Sequence, residues 1–365
     1  MARASGNSPP PHDRRLSGAM GSAAQALGSG SVSPLGLEQT ARVRTARNTA
    51  EAFASLRAAG SSVRDEKVRN PDHLASRFIA LGPRLTTLVK VPALRPLARR
   101  MAERVSPGAY YYELARVKHI DRLLSEELDS GISQLVILGA GFDTRAYRFA
   151  DRLSSTRVFE LDHPVTAALK QARVRKVFGV LPEHVTYVSD DLEREELSAA
   201  LQRAGYQRGE QTLFIWSGVS FYLSAEAVNS VLAFVRAGSG PGSSIVFDYH
   251  YRGFTDGTRD YYGGADGRRR VEQLGEPCIF GIEEGGASML LARHRLELVS
   301  DLGPSELERR YLIRSDGSLD GRPFGFISIA HARLPRPPHA QRIVELKVCS
   351  TSTGKAHGAG VDRRR

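Results

Sequence analysis

Apolar residues follow two rhythms along this chain. Beyond residue 130, short apolar runs alternate with stretches in which apolar positions recur every three or four residues. The runs Gln134–Leu138, Arg157–Leu161, His184–Val188, Thr212–Trp216 and Ser244–Asp248 predict strands. Between them, Thr144–Phe149, Val165–Phe178, Glu193–Gln202 and Ala225–Ala237 predict helices. Strands joined through helices require a mostly parallel sheet covered on both faces. A helical stretch at Ile282–Leu291 precedes two late strand candidates, Arg295–Ser300 and Phe324–Ala332. Paired antiparallel, these two complete a sheet of seven strands.

The chain ahead of residue 130 reads as helical. Thr49–Ala58 has helical composition, and Asn70-Pro71-Asp72 predicts an N-cap with proline in the first turn of a helix running through Phe78. Tyr112, Ala115, Ile120, Leu123 and Leu124 predict one long helix over Pro107–Leu128, with Ser106 as its N-cap. The expected fold class is therefore α/β, a Rossmann-like, seven-stranded, mostly parallel sheet with helices on both faces and an N-terminal helical cap. Four segments follow from the pattern. Residues 1–39, rich in Ser, Gly, Ala and Pro, are expected to be a disordered arm. Residues 40–130 form the cap and lead-in, and 131–335 the core, with a Gly-, Arg- and Tyr-rich insertion at about 250–290. Residues 336–365 are expected to be a flexible tail with one strand candidate, Ile343–Val348.

The chemistry concentrates in Leu135-Val136-Ile137-Leu138-Gly139-Ala140-Gly141-Phe142-Asp143-Thr144-Arg145, where an apolar strand runs into Gly-x-Gly. Glycine there permits a sharp turn and close approach of a ligand. The first strand-to-helix turn of an open α/β sheet is where nucleotide-like ligands sit. Thr144 occupies the place of the third glycine of the dinucleotide fingerprint, which argues against a pyrophosphate cofactor and leaves a nicotinamide-dependent oxidoreductase as the lesser alternative. S-adenosylmethionine has no phosphate to cradle. Asp162 ends the next strand about 20 residues on, where a carboxylate accepts from ribose hydroxyls, and Asp190-Asp191-Leu192 follows the third strand, where an acid can meet an adenine amino group. The competing role for Asp143, Asp162 and Asp191 is capping of the helices that follow.

These segments, with Phe159-Glu160-Leu161-Asp162-His163-Pro164 and Trp216-Ser217-Gly218-Val219-Ser220-Phe221-Tyr222-Leu223, resemble the leucine carboxyl methyltransferase family. The resemblance runs from about Thr40 to Pro335 and includes Ala115-Arg116-Val117-Lys118-His119-Ile120-Asp121. It implies S-adenosylmethionine as cofactor, Arg116 against its methionyl carboxylate, Gly139 and Gly141 admitting it, Asp162 on the ribose, and Asp191 with Leu192 at the adenine. Many relatives carry glutamate near the methionyl amine where this chain has Ser217. That departure motivates the alternative of a non-catalytic cofactor-fold binding protein. The implied activity is O-methylation of a carboxylate or hydroxyl on a small molecule, with methylation of a protein C-terminal carboxylate as an alternative. Tyr222, Tyr249 and His250 are the candidate acceptor-side residues, His250 being the one that can act as a base.

Composition changes this picture little. The 365 residues carry a formal net charge of +11, but the excess crowds the flanks, at Arg14, Arg15, Arg42, Arg44, Arg47 and Arg363–Arg365, as solvated tails do. No nucleic-acid or membrane partner is expected; a small-molecule acceptor is. Two cysteines, Cys278 and Cys349, make neither a disulfide framework nor a cysteine-rich zinc site, and no metal motif is present. With no apolar run of about 20 residues and no signal-peptide core, the expected location is cytoplasmic, with an organelle transit peptide in residues 1–39 as the alternative.

Overall fold

A computed structural model describes residues 49–79, 83–193, 197–274 and 277–336. The expected arm and tail, including the strand candidate Ile343–Val348, lie outside the described residues. The described residues belong to one compact unit.

The described residues open with helix α1 (49–60), then α2 (Pro83–Lys90), α3 (Arg95–Val105) and the long α4 (Ala109–Asp129). The alternation follows: β1 (Gln134–Leu138), α5 (Arg145–Arg148), β2 (Arg157–Asp162), α6 (Pro164–Phe178), β3 (Val185–Ser189), α7 (Leu197–Arg203), β4 (Thr212–Trp216), α8 (Ala225–Gly238) and β5 (Ser244–Tyr251). After β5 come α9 (Arg252–Thr255), α10 (Gly264–Leu274), the two-residue β6 (Gly281–Ile282), α11 (Ala287–Arg293), β7 (Glu297–Leu302), α12 (Pro304–Tyr311) and β8 (Ile327–Arg333). The sheet order is β3-β2-β1-β4-β5-β8-β7, with β6 beside β5. Pairings from β3 to β5 are parallel, whereas β8 is antiparallel to both β5 and β7. The last strand thus inserts between β5 and β7, and the expected seven strands are present with β6 as an eighth.

Period-two burial explains both layers. Leu135 and Ile137 of β1, with Leu213 and Ile215 of β4, face a core shared with α1, α4, α5 and α12. Val136, Leu138, Phe214 and Trp216 face the opposite core, filled by α7, α8 and α11. Both faces are covered, which is why these strands read as continuous apolar runs. Among the described residues no helix is long and apolar enough to cross a membrane.

Three expectations need correction. The helix expected after Asn70 is a turn leading to a short 3-10 helix, Ala75–Arg77. Asn70 Oδ1 accepts from the Asp72 N–H at 2.9 Å, and Asp72 is drawn into ion pairs that a helix would not satisfy. Ser106 does not cap α4; the cap residue is Gly108 at φ 94°, and the Glu103 carboxylate accepts from the N–H groups of Gly108 and Tyr110. The stretch Ile282–Leu291 is split, Ile282 completing β6 and the helix starting only at Ala287.

The helical lead-in is tied to the core by buried charge. Arg57 on α1 donates to Asp72 (2.8 Å), to Glu113 of α4 (2.9 Å) and to the Phe142 carbonyl in the glycine turn (2.7 Å). Removing one member of a buried ion pair leaves a desolvated charge, at a cost of about 3–5 kcal/mol. Arg57→Met is therefore expected to lose stability on that scale in denaturant unfolding. A loss below about 1 kcal/mol, the size expected of an exposed pair, would show that this arginine does not hold the lead-in in place.

Candidate functional site

Strand order reverses at β1, with β2 and β3 on one side and β4 and β5 on the other. Ligands of open α/β sheets bind beyond the strand C-termini at such a switch point, and the expected site residues gather there. Gly139 and Gly141 take φ 63° and 45°, values that side-chain-bearing residues rarely adopt. A Cβ on Gly139 would run into Val219, in the turn after β4, whereas a Cβ on Gly141 would meet only Ala50 of α1 at 3.6 Å and the Gly139 carbonyl oxygen at 3.9 Å. The two turns therefore pack directly on each other, under the start of α1.

Asp162 ends β2 and accepts from the N–H of Gly141 and from the N–H of His163 (2.7 Å). Burial raises its pKa above the ordinary 3.8, partly offset by those two hydrogen bonds. It shapes the glycine turn and keeps acceptor capacity for a ribose hydroxyl. Asp191 Oδ1 accepts from the Glu193 N–H at 3.1 Å, a turn-capping bond of the competing kind, and Leu192 packs on the sheet core. Asp143 likewise caps, accepting from the Arg145 N–H at 2.7 Å. Burial would raise the Asp143 carboxyl, but Arg145, Lys170 and Arg57 outweigh that and hold it at about 2.

Arg116 is buried on α4 and reaches the β4 turn. Its Nη1 donates to Asp248 Oδ2 at 2.7 Å, its Nη2 pairs with Glu113, and Nη1 lies 2.8 Å from where a Gly218 Cβ would stand. Residue 218, at φ 76°, is thus glycine for two reasons, its backbone angle and the arginine beside it. Ser217, next to it, is partly exposed. Beneath the glycine turn, Lys170 of α6 is buried, pairs with Glu160 at 2.8 Å and donates to the Ala140 carbonyl at 3.3 Å. Asp248, Glu113 and Lys170 escaped sequence reasoning. Asp248 had a signal, since a lone acid ends the apolar run Ile245-Val246-Phe247 just as Asp162 ends β2.

The acceptor-side candidates separate by strand parity. His250 shares the Asp248 face of β5, stacked on Phe221 (3.9 Å, 7°) and edge-on to Phe254 and Phe326. Among the described residues its Nδ1 has no hydrogen-bond partner, and burial lowers its pKa to about 3, slightly opposed by Asp248. Tyr222 sits in a 3-10 turn, edge-on to Phe221. Tyr249 points to the other face, where its hydroxyl donates to Asp301 at 2.8 Å, and so drops out as an acceptor-side candidate. Among the described residues no group of three or more His, Cys, Asp or Glu could hold a metal ion.

An adenosyl amino-acid cofactor fits these residues: a turn whose glycines leave room, a carboxylate with acceptor capacity at the end of β2, and an arginine at the β4 turn. Gly139→Ala places a Cβ at a backbone angle costing about 1–3 kcal/mol and against Val219, so cofactor affinity is expected to fall about tenfold or more. Because the Asp162 pKa is raised, acidification should remove cofactor binding at a pH above 3.8. Titrations across pH check this, and binding that persists down to pH 3.8 would contradict a ribose role for its carboxylate.

Comparison with known proteins supports S-adenosylmethionine as the cofactor. The family model described as leucine carboxyl methyltransferase matches residues 50–236, just over half of the chain. A Frankia alni protein with the provisional name of S-adenosyl-L-methionine-dependent methyltransferase is 34% identical over 232 residues, covering 63% of this chain and 78% of that protein. A Bacillus subtilis protein with the same provisional name is 37% identical over 136 residues, covering 37% of this chain and 44% of its own length, so that match spans less than half of the relative. The crystal structure of a provisionally assigned methyltransferase from Thermobifida fusca shares the fold, with TM-score 0.50 at 17% identity over 67% of this chain and 89% of that one. The chain belongs to the leucine carboxyl methyltransferase family of S-adenosylmethionine-dependent methyltransferases.

Proposed function

We propose that this methyltransferase acts on oxygen, and that its acceptor is a carboxylate on a small molecule, with a hydroxyl as the second choice. The observation that carries this reading is the setting of His250, stacked on Phe221 and edge-on to Phe254 and Phe326. Its pKa of about 3 makes it a poor base near neutral pH. Tyr249 is turned to the other face. A hydroxyl acceptor benefits from a base, whereas a carboxylate arrives deprotonated and needs none.

Bound S-adenosylmethionine supplies a methyl group already activated on a sulfonium. The chain's own residues then have to orient and desolvate. Arg116 would hold the methionyl carboxylate, a task suited to a planar guanidinium. Asp162 would hold the ribose, and Asp191 with Leu192 the adenine. Phe221, His250, Phe254 and Phe326 form an apolar, aromatic wall that keeps water from the acceptor side.

The test is a panel of carboxylic acids, phenols and a peptide ending in a free carboxylate, read as S-adenosylhomocysteine formed and as base lability of the product. A base-labile ester on small acids, formed at a rate flat between pH 6 and 9, is expected. His250→Phe should keep kcat within about threefold. A fall of about 100-fold or more, with base-stable ether products, would replace the carboxylate reading with the hydroxyl one. Esterification of the peptide alone would favour a protein acceptor. Cofactor binding without turnover on any acceptor would favour the binding-protein reading that Ser217 motivates.

A further inference from the structure

Asp248 is fully buried, yet it receives three donors. Oδ1 accepts from the Gly218 N–H at 2.6 Å, and Oδ2 accepts from the Tyr112 hydroxyl and from Arg116 Nη1, each at 2.7 Å. It therefore joins β5, α4 and the turn after β4 at one carboxylate. A buried carboxylate is tolerated only when charged and hydrogen-bonded partners surround it, and these come from two places, Tyr112 and Arg116 on α4 and Gly218 in the β4 turn.

Arg116 is held from both sides, by Asp248 and by Glu113, and Glu113 is in turn held by Arg57. The guanidinium has five N–H donors in a rigid fork, so two carboxylates leave donors for a third acceptor while fixing the plane in which they point. Gly218 is fixed by the same carboxylate that fixes Arg116. The arginine and the backbone of the turn cannot move independently while both bond to Asp248.

We infer that Asp248 is a positioning residue for the amino-acid end of the cofactor: it sets the Arg116 guanidinium and the Gly218 amide as one unit, without itself touching the reacting atoms. Tyr112 locks the carboxylate rotamer, and burial together with Asp248 raises the Tyr112 pKa so that its hydroxyl stays a donor. The inference rests on the reading that Arg116 binds the methionyl carboxylate.

The experiment compares two ligands in calorimetric titrations of the full chain. S-adenosylmethionine carries the amino-acid end; 5′-methylthioadenosine lacks it. Arg116→Lys tests the underlying reading: it should weaken the first ligand at least tenfold and leave the second within twofold. Asp248→Asn tests the inference: it should reproduce that pattern with Arg116 intact. If Arg116→Lys discriminates between the ligands and Asp248→Asn does not, the inference is overturned and the reading beneath it stands. If Arg116→Lys does not discriminate, the reading itself fails. Should Asp248→Asn lose both ligands together, as a misfolded protein would, Tyr112→Phe decides. Freeing the carboxylate from one of its three donors should cost three- to tenfold on S-adenosylmethionine alone, and equal effects on both ligands, or none, overturn the inference.

Discussion

One continuous chain of buried ion pairs organises this protein. It runs Asp248, Arg116, Glu113, Arg57, Asp72, Arg148, Asp121, Arg145, Asp143, with four arginines alternating between five carboxylates. One end is the carboxylate that holds the β4 turn, and the other lies in the glycine turn after β1. Between them the chain passes through α4, α1, the segment before the 3-10 helix, and α5. Both turns of the cofactor site are therefore anchored to the same series of charges. Each carboxylate between the ends is shared by two arginines, so no single pair can break without leaving its neighbours desolvated.

Such a network is not the cheapest way to stabilise a fold, because apolar side chains of similar volume often do as well. What it supplies is register. Arg57 meets Asp72, Glu113 and the Phe142 carbonyl at once, which fits only one placement of α1. The lead-in helix is thereby set against Gly141, and Arg173 of α6, bonded to Glu51 and stacked over Phe142 at 4.1 Å, holds it from the other side. With five carboxylates to four arginines the series of ion pairs has a formal charge of −1. That sign suits a ligand with a sulfonium and an ammonium against a single carboxylate.

The aromatic cluster around His250 is built on the opposite principle. Two stacked pairs, Phe221 on His250 and Phe254 on Phe326, meet edge to face. Burial among these rings lowers the His250 pKa to about 3, and Asp248 opposes that only slightly. The buried ion pairs thus gather at the two turns, while the neighbouring wall is built mainly of aromatic rings.

The parallel sheet, its strand limits to within a few residues, the Gly-x-Gly turn and the acids ending β2 and β3 were all legible in the sequence. Each is a local pattern: an apolar run, a glycine pair, an acid at a strand end. The seven-strand plan was legible too, although β6 was not, because a two-residue strand has no periodicity of its own. Tertiary structure alone decided the rest. Whether Asn70-Pro71-Asp72 opened a helix depended on Arg57 competing for Asp72 from another element. The partners of Arg116 lie three residues away on its own helix and far off at Asp248, and no spacing rule joins the second. The opposite fates of Tyr249 and His250 were set by which face of β5 meets the Arg116 side, and a strand buried on both faces carries no polar alternation from which to read that choice. Local pattern determines elements; the pairing of charges across elements is a property of the packed chain.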